Sequence, residues 1–389
     1  MKLAERMHRL KKESAFVVFA KATELEGQGR DIVHLEIGDT DFNTPPDIIE
    51  EAYGRMKKGH THYCASAGIP ELREACSQWL RRSRRGDYSA REIVVGPGGK
   101  SFLYYVIMTL AGPGDEVIYP DPGFPVYESV TRYAGATPVP LPMLEENDFR
   151  FTAEDLAGRV TDRTRLIILN YPHNPTGGTL TRPELDAIAD IAVKRDIVVL
   201  SDEVYAHMLF DGEQISMGTL PGMRDRTILL ESFSKTYAMT GWRMGFVAAP
   251  AWLAEPLTQL ITNSASCVPP FVQYAGAKAL LGDQAESRAM MADFKKRRDM
   301  FIAGLNKIPG ISCKLPAGAF YAFPNVSRLP MGAEAFADYL LAHAGVATLP
   351  GSAFGVHADN HLRMCFATSM ENLKKAIERI GQAVDEIGR

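Results

Sequence analysis

The sequence predicts an α/β protein in which a large, mostly parallel sheet lies between helices and a smaller α+β domain follows. First, apolar and β-branched strands alternate with helices between residues 92 and 248, a pattern typical of parallel strands buried on both faces. Second, polar or glycine-rich loops follow five strands, and in open α/β sheets ligands bind at such strand ends. Third, beyond about residue 285 a long helix precedes further strand-like pieces.

This change of pattern divides the chain. Residues 1–40 are predicted to form an N-terminal arm and part of the small domain, 41–285 the large domain, and 286–389 the small C-terminal domain. A length of 389 residues agrees with two or three folding units at about 150 residues each.

The elements are predicted in chain order from apolar runs, glycine–proline turns and prolines in first helical turns. Residues 1–30 are predicted to be helical, and Pro46 and Pro70 each to open a helix. The predicted strands are 32–37, 92–95, 116–119, 166–169, 197–200, 228–230, 245–248, 311–315, 320–323, 346–349 and 361–367. Further helices are predicted at 101–110, from 182, at 333–343 and from 370.

Composition and charge indicate a globular protein that does not bind nucleic acid. Apolar residues make up 46% and charged residues 23% of the chain, which is ordinary for a globular protein. The formal net charge of −4 provides no basic field for nucleic acid. The basic runs within 81–85 and 295–298 are predicted to be solvated helix ends.

The five cysteines are scattered, odd in number and without a C-x-x-C pair. This pattern supports neither a zinc site nor a disulfide framework, and it favours free thiols in a reducing cytoplasm. Neither a secretion signal nor a run of about 18 apolar residues is found, so a cytoplasmic protein without a membrane span is expected.

The loop Gly96–Ser101 has the composition of a phosphate-binding turn. It is not a P-loop, because Val94 stands where that motif needs glycine, and not a Rossmann turn, because Ser101 replaces the third glycine. Its glycines could still expose backbone N–H groups to a phosphate at a helix N-terminus, or could simply make a tight turn.

Lys235 follows a buried strand and lies among hydroxyl residues and glycines. A desolvated lysine becomes a nucleophile that can form a Schiff base with a carbonyl; the alternative is a lysine that faces water. Nearby, Ser232 and Arg243 offer a hydroxyl and a bidentate cation, which suit a phosphate.

Three more residues follow predicted strands. Asp202 is expected to be buried and therefore needs a cation or donor, either in a structural ion pair or against a protonated ring nitrogen. Asn174 lies between two prolines and is either a turn residue or a ligand contact. Tyr205 could donate a hydrogen bond or pack in the core.

Together these motifs resemble a known family. N-P-T-G at Asn174–Gly177, D-E-V-Y at Asp202–Tyr205, and S-F-S-K with G-W-R within Ser232–Arg243 are similar to the class I/II aminotransferases. The resemblance runs from about Gly38 to Arg363. It implies a pyridoxal-phosphate enzyme of fold type I, with a seven-stranded sheet in the large, cofactor-binding domain and a homodimer that shares its active sites.

The resemblance also implies residue roles. Lys235 would hold the cofactor aldehyde as a Schiff base and Asp202 would keep the pyridine nitrogen protonated. Asn174 and Tyr205 would hydrogen-bond the phenolic oxygen, Tyr205 being counted with the catalytic residues. The remaining cofactor contacts would be stacking by Phe124, phosphate binding by Gly99, Lys100, Ser232 and Arg243, and Tyr63 reaching the neighbouring subunit's phosphate.

For the substrate, the resemblance implies that Arg363 binds the α-carboxylate, with Gly38 and Asn174 beside it; the alternative for Arg363 is a salt bridge within a strand. The implied reaction is ping-pong transfer of an amino group from an L-amino acid to a 2-oxo acid such as 2-oxoglutarate or pyruvate. Phe124, in place of the more frequent Tyr or Trp, and D-T-D-F after Gly38 depart from the family pattern without threatening this chemistry.

Other functions stay open at this point. Relatives with these motifs include C–S β-lyases, and a nucleotide enzyme or a regulatory protein without catalysis are further alternatives. Lys100 resembles a lysine that some bacterial aspartate aminotransferases use towards acidic substrates, which favours aspartate or glutamate as the amino donor. Phe16, Phe19 and Phe354 would suit neutral or aromatic substrates, although core packing is the expected role of these three rings.

Overall fold

A seven-stranded sheet organises most of the computed structural model, which describes residues 2–11 and 13–388. The strands are β1 (Val33–His34), β2 (Ile93–Gly96), β3 (Glu116–Asp121), β4 (Thr137–Pro142), β5 (Thr164–Asn170), β6 (Val198–Asp202), β7 (Thr227–Ser232), β8 (Gly245–Ala248), β9 (Tyr321–Ala322), β10 (Val346–Ala347), β11 (Leu349–Pro350) and β12 (Leu362–Cys365). The helices are α1 (Ser14–Gly27), α2 (Pro46–Lys57), α3 (Pro70–Arg84), α4 (Gly99–Leu110), α5 (Val126–Ala134), α6 (Ala153–Ala157), α7 (Arg182–Arg195), α8 (Phe233–Thr236), α9 (Ala251–Ser264), α10 (Pro270–Leu281), α11 (Ala285–Leu305), α12 (Ala333–Tyr339) and α13 (Met370–Ile387).

The large sheet has the order β2-β8-β7-β6-β5-β3-β4. Only β8 runs antiparallel to its neighbours β2 and β7; the other pairs are parallel. Consecutive residues of β7 serve opposite faces, since Leu229 packs with α3 and α10, whereas Ile228 and Leu230 pack with α4 and α9. The predicted α/β fold, with a mostly parallel sheet covered on both faces, is confirmed.

Strand β4 was not predicted. It contains Pro138, Pro140 and Pro142, and proline argues against a strand because it lacks the N–H that a ladder needs. The structure tolerates these prolines because β4 is the edge of the sheet and pairs only with β3.

The two ends of the chain meet in a second core. Val33 and Leu35 join a buried apolar cluster with residues of α11, α12 and α13, and β1 pairs in parallel with β10. Strands β11, β12 and β9 form an antiparallel sheet beside them. The predicted strand at 311–315 is wrong, because only Ser312 forms an isolated bridge there. The division at residues 41 and 286 stays a prediction.

The prediction of solvated helix ends for the basic runs is wrong for three arginines. Arg84, Arg297 and Arg298 are buried. Arg297 forms ion pairs with Asp41 and Asp293, each at 2.6 Å. Each guanidinium can be buried because carboxylate and carbonyl oxygens accept the hydrogen bonds that water would otherwise accept.

Within the described part of the chain, no helix combines the length and apolar character that crossing a bilayer requires.

A histidine at the start of the second core should make stability depend on pH. His34 contacts Glu36 at 2.7 Å and Glu26 at 3.2 Å, and the hydrogen bond to Glu36, with the charge of both carboxylates, raises the pKa of His34 to about 8. A raised folded-state pKa stabilises the fold fully below the unfolded-state pKa of about 6.5, and this stabilisation is lost as pH rises through 8.

His34→Gln is therefore expected to lower the free energy of unfolding by about 1 kcal/mol at pH 6, allowing for partial exposure, and by little at pH 9. Urea denaturation at the two pH values measures this. An equal loss at both would contradict the assignment.

Candidate active site

A cavity of about 500 Å³ opens at the carboxyl ends of β5, β6 and β7. Its walls combine these strand ends with the first turn of α4, the residues around Gly38, and Arg363 of β12. Every predicted site residue except Tyr63 lines this cavity. The loops at the strand ends of the large sheet thus form one site, as predicted. They are joined there by chain segments that lie more than 300 residues apart in sequence, such as those of Gly38 and Arg363.

Lys235 lies on α8, the single turn that follows β7. Its amine donates a hydrogen bond to the carbonyl of Gly38 and lies 5.5 Å from the centroid of the Phe320 ring. Burial lowers the pKa of Lys235 to about 8, so a substantial fraction of the amine is neutral near physiological pH. A neutral amine is the form that attacks carbonyl groups.

Asp202 ends β6 and is 4% exposed. Tyr127 donates a hydrogen bond to it at 2.7 Å, and burial raises the pKa of Asp202 to about 6. Among residues 2–11 and 13–388, no lysine, arginine or histidine pairs with this carboxylate. Within this part of the chain the structural ion pair that the sequence left open is not formed, so the carboxylate can pair with a cationic group from outside the chain.

The loop after β5 is tied to β6 through Asn170. The side-chain amide of Asn170 accepts a hydrogen bond from the backbone N–H of Asn174 at 2.8 Å. It donates one to the backbone carbonyl of Asp202 at 3.0 Å. Asn174 is buried, and its side-chain oxygen has no hydrogen-bond partner among the described residues. The Tyr205 hydroxyl lies 2.7 Å from that of Tyr321. An unpartnered buried amide at a cavity wall fits a polar ligand.

The N-terminus of α4, a hydroxyl and a guanidinium converge at one end of the cavity. Gly98 precedes α4 with φ +86°, a backbone conformation that favours glycine, and a Cβ there would lie 2.6 Å from Arg243 Nη2 and displace the guanidinium. Ser232 caps α8, and Gly99 packs against it. The first N–H groups of α4, the Ser232 hydroxyl and the Arg243 guanidinium can together bind an anion.

Arg363 approaches the cavity from the small sheet. It is buried, donates to the carbonyl of Glu36, and lies 4.6 Å from the Tyr321 ring and 4.9 Å from the Phe354 ring. Within the described residues its Nε has no partner and no carboxylate pairs with it. The strand salt bridge considered for Arg363 is therefore absent from this part of the chain, and the guanidinium is available to an incoming carboxylate.

Tyr63 does not reach the cavity of its own chain. It is 88% exposed and is not among the residues that line the cavity. The predicted role for this residue requires a second copy of the chain.

Several cavity residues were missed by sequence reasoning. Tyr127 and Tyr321 carry no motif of their own, although Tyr127 follows the predicted Pro-rich loop after β3. Glu13 and Asp39 also line the cavity. The prediction of core packing is wrong for Phe16, which is 56% exposed and lines the cavity, and for Phe19, which is 41% exposed. Phe354 is buried, as predicted.

The geometry fits pyridoxal phosphate, the cofactor that the resemblance implies. The phosphate matches the anion site, and an aldehyde matches the amine of Lys235. A protonated ring nitrogen matches the carboxylate of Asp202, which has no cationic partner among the described residues. The aromatic ring of Phe124 lines the same cavity and supplies a stacking face.

Comparison with known proteins gives one consistent result. A family model described as aminotransferase class I and II matches residues 30–380. An aspartate aminotransferase of Musicola paradisiaca is 37% identical over 99% of this chain and 97% of its own length. An arginine–pyruvate transaminase of Pseudomonas aeruginosa is 39% identical over 96% of this chain and 95% of its own length. A structure of Thermus thermophilus aspartate aminotransferase with maleate has a TM-score of 0.94 and 35% identity, covering 98% of this chain and 100% of that one.

Proposed function

Since this chain belongs to the class I and II aminotransferases, we propose that it transfers the amino group of an L-amino acid to a 2-oxo acid, 2-oxoglutarate or pyruvate, by a ping-pong mechanism. Membership makes it a pyridoxal-phosphate-dependent aminotransferase. The observation that carries the proposal is a cavity that collects an amine of lowered pKa with a buried carboxylate and a guanidinium that have no oppositely charged partner among the described residues.

Most lining residues would hold the cofactor. When bound, pyridoxal phosphate supplies a conjugated ring that takes up negative charge from the substrate α-carbon. Asp202 would hold the proton on the ring nitrogen, and Asn174 and Tyr205 would hydrogen-bond the phenolic oxygen. Phe124 would stack on the ring, while the phosphate would be bound by Gly99 and Lys100 through their N–H groups, by Ser232 and by Arg243.

The remaining residues would act on the substrate. Arg363 would bind the α-carboxylate through its planar guanidinium, beside Gly38 and Asn174. The amine of Lys235, once free, would accept the α-proton and return it, as a general base and then a general acid. Tyr205 would stay hydrogen-bonded to Tyr321 and keep the ring oxygen oriented.

A homodimer is part of the proposal, because the exposed Tyr63 would reach the phosphate of the neighbouring subunit's cofactor. We also propose a reducing, cytoplasmic setting, which the five free thiols support. Sedimentation of the loaded enzyme tests the dimer.

The experiment for the reaction is a donor screen with 2-oxoglutarate and pyruvate as acceptors. Parallel double-reciprocal plots and formation of glutamate or alanine are expected. Arg363→Lys should raise the KM of the amino donor roughly 10- to 100-fold, because a bidentate charge-assisted pair is worth about 1.5–3 kcal/mol.

Arg132→Lys, at an exposed ion pair with Glu128, is the matched control and should leave the KM near that of the parent enzyme. Release of ammonia without formation of a new amino acid would instead identify a C–S β-lyase.

A further inference from the structure

The ammonium group of Lys100 is not free at the mouth of the cavity. Glu13, directly before α1, contacts it at 2.6 Å, with side-chain exposures of 41% for Lys100 and 25% for Glu13. Both residues line the cavity. The N-terminal segment therefore brings a carboxylate to this cation at the cavity wall.

Two aromatic rings flank this ion pair. The Lys100 nitrogen lies 5.3 Å from the ring centroids of Phe16 and Phe124. Under the proposed function Phe124 stacks on the cofactor, so the Phe16 ring, beside the neutralised charge of Lys100, is the one that offers contact area to an uncharged substrate side chain.

Among the charged groups that remain to contact a substrate side chain, negative groups outnumber positive ones. Under the proposed function, Asp202, Lys235, Arg243 and Arg363 are used by the cofactor and the α-carboxylate. Glu13, Asp39 and Lys100 are left among the lining residues that the structure describes. Asp39 accepts hydrogen bonds from Thr40 and Thr240 but has no cation partner in that part of the chain. Two carboxylates against one ammonium disfavour a second carboxylate on the substrate.

We propose that Glu13 is a specificity-determining residue, and that through it the enzyme favours L-amino acids with uncharged or basic side chains over aspartate and glutamate. This inference rests on the proposed aminotransferase function. An acidic side chain could reach Lys100 only by displacing Glu13 and leaving that carboxylate unpaired at the cavity wall. A basic side chain meets Glu13 and Asp39 instead.

The experiment compares Glu13→Gln with the parent enzyme, both loaded with pyridoxal phosphate, on glutamate, aspartate, phenylalanine and arginine as donors. The substitution keeps the shape and removes the charge. The ratio of kcat/KM for glutamate to that for phenylalanine is expected to rise about five- to tenfold, in line with loss of a partly screened charge. The ratio for arginine to phenylalanine is expected to fall.

Glu24→Gln is the matched control, because Glu24 lies exposed on α1 outside the cavity and its loss should leave both ratios unchanged. Adding Lys100→Met to Glu13→Gln should abolish the gain for glutamate. The inference is overturned if the parent enzyme prefers aspartate or glutamate, or if Glu13→Gln leaves both ratios unchanged. Absence of turnover with every donor in the loaded parent enzyme overturns the proposed function itself.

Discussion

Replacing Lys235 by alanine is expected to lower kcat for amino transfer by about 10⁴-fold or more, at or beyond the upper end of what a general acid–base contributes. The expectation is this large because one amine is proposed both to hold the cofactor and to move the α-proton. Its position supports both tasks, since burial lowers the pKa of Lys235 to about 8 and the side chain ends among the cavity residues. Steady-state assays with each acceptor measure the change.

The control for this substitution is Lys194→Ala, at an exposed lysine of α7, which should leave kcat unchanged. The Lys235→Ala protein should also keep its urea unfolding midpoint, which shows that the loss is chemical. Full turnover in the folded Lys235→Ala protein would exclude the assigned role.

The second large effect concerns stability. Replacing Arg84 by methionine is expected to lower the free energy of unfolding by about 3–5 kcal/mol, the usual cost of leaving buried charges without their partner. Arg84 is buried at the end of α3 and contacts Glu203 at 3.1 Å and Glu231 at 2.8 Å. Burial, together with the charge of Arg84 beside it, lowers the pKa of His207 well below its usual range in the parent protein.

These contacts also bear on the cavity, because Glu203 follows Asp202 and Glu231 precedes Ser232. Arg84→Lys keeps the positive charge but loses the planar guanidinium that contacts both carboxylates, so an intermediate decrease in the free energy of unfolding is expected. Arg82→Met, at an exposed position of the same helix, should change stability by less than about 0.5 kcal/mol. If urea unfolding placed Arg84→Met within 1 kcal/mol of the parent protein, the buried network would contribute little.

The sheet could be predicted because its strands are buried on both faces and therefore read as uninterrupted apolar runs. Strand β7 is an example: Ile228, Leu229 and Leu230 are all apolar although they serve opposite faces. Strand β4 could not be predicted, since its prolines are acceptable only at an edge, and the edge is a property of the finished sheet. The family and the fold type, in contrast, followed from spaced motifs and are confirmed by the comparisons.

Some residues of the cavity and its surroundings could likewise be predicted from the sequence, and others could not. Asp202 ends a strand, and Lys235 and Asn174 follow strands, so the parallel pairing of β5, β6 and β7 brings the three residues to one edge of the sheet. Arg84 was misjudged from its basic neighbours, although it lies four residues after Leu80 and so on the buried face of α3. Glu13 and Lys100 are 87 residues apart, and no local pattern predicts a contact over that distance.

The central claim is that the amine of Lys235 bonds to the aldehyde of pyridoxal phosphate. Borohydride reduction of the loaded enzyme, followed by proteolysis and mass spectrometry of the peptides, tests it directly. The account predicts one cofactor label per chain, on Lys235. A label on another lysine, or none on a chain that has bound the cofactor, would contradict it.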